Sequence, residues 1–151
     1  MTFVLALHAL MAVIWVGGMI FAVSFLRPAT AALPAAERLA LWRRVLARFL
    51  PAVFVAIAVL LISGYWMIFA IFGGFDGLDL SINLMQGLGW VMILVFLHVY
   101  FAPYRRMGRA LDQGDMAAAA RSLNQIRKLV TLNTILGIIV VLVAVSGSLG
   151  D

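Results

Sequence analysis

Cysteine is missing from the chain altogether. Its absence removes disulfides, thiolate metal sites, cysteine nucleophiles and covalent haem attachment. Charge is scarce as well. Asp, Glu, Lys and Arg make up 11% of the 151 residues, against about 25% in a soluble domain. No acidic residue falls within any of the long apolar runs, so a carboxylate-based hydrolytic centre has nothing to be built from. Histidine occurs twice only, as His8 and His98. The formal net charge of +5 would suggest nucleic acid in a soluble protein. Here the placement of the charges explains it better, and no nucleic-acid partner is expected.

What the chain has instead is apolar: 66% of residues, with a mean hydropathy of +1.13. Four runs, about 1–26, 50–73, 86–103 and 129–148, approach or exceed the roughly 20 residues that cross a bilayer. A backbone in lipid must satisfy its own hydrogen bonds, so each is expected to be helical. The predicted fold is an all-α membrane protein, a single domain over 1–151 forming a four-transmembrane-helix bundle. The first run has no basic residue before Arg27. It therefore lacks the positive start of a cleavable signal peptide and is expected to remain as a span.

All eleven cationic side chains sit in two segments. Arg27, Arg38, Arg43, Arg44 and Arg48 lie between the first and second runs, and Arg105, Arg106, Arg109, Arg121, Arg127 and Lys128 between the third and fourth. The connection from Gly74 to Met85 carries only Asp76 and Asp79, and the chain ends at Asp151. The positive-inside rule puts both basic segments in the cytoplasm and both termini outside, as in a bacterial inner-membrane protein. In the first basic loop, Leu39, Trp42, Val45, Leu46 and Phe49 recur at helical spacing. They predict an interfacial helix lying against lipid head groups and joined to the second span across Pro51. The second loop predicts another helix, 107–128, with a break at Asp112-Gln113-Gly114-Asp115. Tyr65, Trp66 and Trp90 fall where an outer aromatic belt forms, and Asn133 is expected to join helices.

Both histidines lie inside apolar runs, and an ionisable group there is a functional-site candidate. From His8, one helical face continues through Met11, Ala12, Trp15, Gly18 and Met19. From His98, the face carries Gly87, Val91, Leu94, Val95, Phe101 and Ala102. Two smooth stripes, each bearing an imidazole, predict a planar haem b held between the helices by His8 and His98, since neutral imidazole is a preferred haem ligand. His98 lies about 7 Å deeper than His8 at about 1.5 Å per residue, which leaves Met92 as a rival second ligand. Arg105 and its basic neighbours favour propionates pointing inward, and Tyr100 either anchors at the inner interface or bonds the ligand. The same residues allow other readings. His8, Met11, Met92 and His98 could act as soft ligands for copper, or the histidines could simply join helices.

The segment LHALMAVIWVGGMIFAVSFLRPA, with His8, Trp15, Gly17 and Gly18, resembles the first helix of CopD-type membrane proteins. LMQGLGWVMILVFLHVYFAPYRRM and LNQIRKLVTLNTILG resemble small members of the same family. That resemblance implies copper resistance, in which a larger member works with a periplasmic copper protein. The four-helix HemJ proteins, protoporphyrinogen oxidases that bind haem b, are similar in size and in the His-x6-Trp pattern. This resemblance implies His8 as a haem ligand, but HemJ proteins use a third-helix lysine where this chain offers His98. The leading expectation is thus a haem b electron-transfer protein exchanging with quinone or a periplasmic carrier. The alternatives are a copper-handling component and a non-catalytic partner subunit. Small residues such as Gly64, Gly87 and Gly137 would also permit a homodimer.

Overall fold

A computed structural model describes residues 1–147. Four long helices run up and down through the bundle: α1 (Thr2–Thr30), α2 (Ala35–Ile71), α3 (Leu80–Asp112) and α4 (Met116–Gly147). Each holds an apolar window long enough to cross a membrane. The four expected spans fall within them except at their ends: Met1, Phe72 and Gly73 lie just beyond the helices, and residue 148 lies outside the described residues, as does the C-terminal Asp151 that the charge pattern assigns to the outer side. α1 packs chiefly on α2, and α3 on α4, while α4 also touches α1 and α2.

The helices are longer than their apolar runs, and here the structure corrects the expected loops. The segment from Glu37 to Phe49 is no separate interfacial helix. It is the start of α2, which continues through Pro51 without interruption for 37 residues. At about 1.5 Å per residue that is about 55 Å, well beyond the roughly 30 Å hydrocarbon core. Leu39, Trp42 and Leu46 do not face head groups; they are buried in one hydrophobic cluster that also holds Met107, Ala110, Ala119, Leu123 and Ile126 of α3 and α4. The expected 107–128 helix is likewise divided between the end of α3 and the start of α4. The break falls at Gln113–Asp115. Asp115 N–H donates to Ala110 O at 2.9 Å and Gly114 N–H to Leu111 O at 3.1 Å, with Gly114 at φ +72. This is the glycine-dependent helix stop of the Schellman type. Asp115 Oδ1 then accepts from Ala118 N–H at 3.0 Å and caps α4.

Both remaining prolines within helices coincide with wide π-type turns. Ala22–Leu26 precedes Pro28, and Tyr100–Tyr104 contains Pro103. A wider turn relieves the clash of the proline ring with the preceding turn.

Packing is uneven along the bundle. The core runs from Trp15, Val16 and Met19 of α1 past Val53, Met92 and Phe96 to the cytoplasmic ends. Beyond the level of Trp15, Ile57, Met92 and Gly137, only Ser63 and Ile68 are buried among the described residues. Two close approaches define the waist. The Phe49 ring lies on Gly18, where any Cβ would collide with it. At Gly137 a Cβ would come 2.9 Å from Val16 Cγ2 and 3.2 Å from Met92 Cε. On the outer side, Trp90 Nε1 donates to Tyr65 OH at 2.9 Å, linking α2 to α3 where the belt was expected. Asn133 joins helices as expected, its Nδ2 donating to Met92 O at 3.2 Å.

Candidate functional site

His8 lies two turns into α1 and is half-buried. It faces α2, where Nδ1 is 2.8 Å from Ser63 Oγ. Ser63 Oγ is also 2.6 Å from Val59 O. A carbonyl only accepts, so the serine proton goes to Val59. The contact with His8 then requires Nδ1–H to donate to Ser63, and Nε2 of the neutral ring keeps its lone pair. Metal-binding histidines are held in this way, with one ring nitrogen committed to a partner and the other free. The ring occupies space left by Gly64, where a Cβ would stand 3.3 Å from His8 Cε1. Met11 follows one turn along the same face and is partly buried. Side chains three apart on a helix have Cβ atoms about 5–6 Å apart.

The other expected ligand is elsewhere. His98 is exposed on a stripe with Val91, Leu94 and Phe101, all exposed. The inward face of α3 is formed by Met92, Phe96, Val99 and Pro103. His98 therefore looks out of the bundle while His8 looks into α2, and the two imidazoles do not converge. In lipid, an apolar stripe marks the outside of a bundle as readily as its inside.

The remaining candidates divide into separate groups. Trp15 is buried edge-on to Phe96, with ring centroids 6.2 Å apart. Met92 is buried beside Gly137, and Gly18 receives Phe49. Tyr100 meets Phe54 at 5.0 Å and stacks on Tyr104 at 5.7 Å. Arg105 lies over Phe101 and Tyr100, at 4.8 and 5.6 Å. Trp15 and Phe96 also line a cavity of about 40 Å³ in the inner half of the bundle. That is room for a few water molecules and not for a macrocycle. The residues present do not fit a haem held between His8 and His98, and no step is derived through one.

Among the described residues, no three His, Asp or Glu side chains gather into a metal-holding group. What the described residues offer is a single oriented imidazole near the outer end, with a thioether one turn away. Sequence reasoning named His8 and Met11 as candidates but missed Ser63 as the group that orients the ring. The signal was there: Ser63 is the one Ser or Thr in the second apolar run and directly precedes a glycine.

The family model described as Copper resistance protein D matches residues 43–146. The match takes in α3, α4 and most of α2 but not α1, so His8 enters the site on the geometry alone. No curated protein matches the chain, and no solved structure does. The likeness to HemJ proteins is not borne out.

Proposed function

We propose, on the premise that the chain belongs to the copper resistance protein D (CopD) family, that it handles copper, taking Cu(I) as cargo at His8. The chain is a multi-pass membrane protein of the bacterial inner membrane, with four apolar helices of spanning length. The family match carries the copper assignment. The committed Nδ1 of His8 supports this residue as the point of contact.

The chemistry is that of a soft, low-coordinate ion. Imidazole suits copper and thioether sulfur selects Cu(I), so His8 Nε2 and Met11 Sδ form a donor pair that can bind and release. Ser63 orients the ring, and Gly64 makes room for it. A site with two donors holds an ion in transit better than it stores one. Its place near the outer end suits exchange with a periplasmic metal carrier.

The test is Cu(I) titration of the full-length, detergent-solubilised chain under reductant, in competition with a chromogenic Cu(I) chelator. Binding is expected in the native chain, is lost in His8→Ala and is retained in His98→Ala. Binding that His8→Ala leaves untouched removes this residue from the site. A chain that binds no Cu(I) but shows a Soret band returns the assignment to haem.

A further inference from the structure

At the inner end of the bundle Arg27 and Arg127 border one cavity, and among the described residues no acid pairs with either of them or with Arg38. Arg127 of α4 lies over the Trp42 ring of α2, its guanidinium carbon 5.9 Å from the ring centroid. The Trp42 indole is fixed in turn, donating to Thr30 Oγ1 at 3.2 Å. The charges of Arg27 and Arg38 both act on Arg127 as like charges. Arg127 Nε is buried and has no acceptor among the described residues. The one ion pair among those residues, Arg43 with Asp112, is elsewhere. Converging cations and a buried donor without an acceptor define a place for an anion.

Depth and surroundings specify which anion. Arg27 directly follows the first apolar run and Arg127 stands two residues before the fourth, next to Lys128, so both sit at head-group level. Next to them, on the membrane side, the wall is apolar. Ala22 and Val23 of α1 and Leu129 and Val130 of α4 border the inner cavity, and Ala22, Val23 and Val130 are half-buried. A soluble ion would use the arginines alone, whereas a lipid uses the arginines and the apolar groove together. We propose that Arg27, Arg38 and Arg127, on the floor made by Trp42, seat the phosphate of an anionic glycerophospholipid, with an acyl chain along the groove between Val23 and Val130. Basic pockets between spanning helices on the cytoplasmic side bind such head groups. Arginine is the residue suited to the task, since its fork meets phosphate oxygens in pairs.

Native mass spectrometry of the full-length protein in a neutral detergent tests this, with dioleoylphosphatidylglycerol, dioleoylphosphatidylcholine or inorganic phosphate added in separate arms. The native chain is expected to retain phosphatidylglycerol in preference to phosphatidylcholine. Arg127→Gln and Arg38→Gln should each weaken that retention about fivefold, the effect of about 1 kcal/mol per arginine. Arg109→Gln, at the exposed end of α3, should leave it unchanged. Arg38→Gln keeps the test valid if Arg127→Gln fails to fold, because Arg38 lies outside the core. Equal retention of the two lipids overturns the proposal. So does a loss in Arg109→Gln that matches the loss in the other two variants. Inorganic phosphate that displaces the lipid at equal concentration assigns the site to a soluble anion and overturns the lipid seat.

Discussion

His8 and Ser63 are joined by a hydrogen bond whose direction is fixed. The serine proton is committed to Val59 O at 2.6 Å, so the contact of 2.8 Å between Ser63 Oγ and His8 Nδ1 must carry the histidine's proton. One hydroxyl on α2 thereby decides which nitrogen on α1 is free to meet a metal ion.

Ser63→Ala removes that constraint without touching the imidazole. Groups that orient a metal-binding histidine are worth about 10- to 100-fold in affinity, so Cu(I) affinity should fall by about that much while thermal stability holds. His8→Ala should abolish binding. The chelator competition reads both, and a Ser63→Ala chain with native affinity would remove the serine from the site.

His98→Ala should change neither Cu(I) binding nor stability. The side chain is exposed on the outer face of α3, and substitutions at such positions usually stay within about 0.5 kcal/mol. A marked loss of bound metal in this variant would show that His98 turns inward in the working protein.

Gly18→Ala should lower the melting temperature, because its Cβ would collide with the far end of the Phe49 ring. Overpacking of this kind typically costs about 1–3 kcal/mol. Phe49→Ala in the same chain should recover part of the loss. Strict additivity of the two substitutions would show that the ring and the glycine do not meet.

At Asn133 the sign depends on the replacement. The side chain is buried, donates through Nδ2 to Met92 O, and leaves Oδ1 without a partner among the described residues. Asn133→Leu gives up one interhelical bond, worth about 0.6 kcal/mol in a membrane protein, and also removes the unpaired oxygen. Its effect on thermal unfolding should be small. Asn133→Asp faces a carboxylate to a carbonyl in a dry interior, so this chain should express poorly or unfold early.

Much of this architecture was legible in the residues. The four spans, the turn at Gly114 and the joining role of Asn133 follow from hydropathy, a glycine stop and the cost of a lone amide in lipid. The cytoplasmic ends were harder to read. Leu39, Trp42 and Leu46 make an apolar stripe, but a stripe does not say whether lipid or another helix covers it. The same ambiguity misplaced His98, whose smooth neighbours face outward. Ser63 was missed because a single hydroxyl in an apolar run gains meaning only when the residue opposite it is known.

The uneven packing also bears on how the proposed cargo would be exchanged. Below the waist at Gly18 and Gly137 the helices are locked by buried rings and methyl groups, whereas above it only Ser63 and Ile68 are buried among the described residues. Segments with few buried contacts open at low free-energy cost. The chain is therefore a stiff stem carrying a soft rim, and His8 stands on the rim. Backbone amides around Leu5–Met11 and Leu60–Gly64 should exchange with deuterium well before those around Trp15–Met19 and Val53–Ile57. An ion could then be taken up or released by a local parting of α1 from α2, while the stem stays closed.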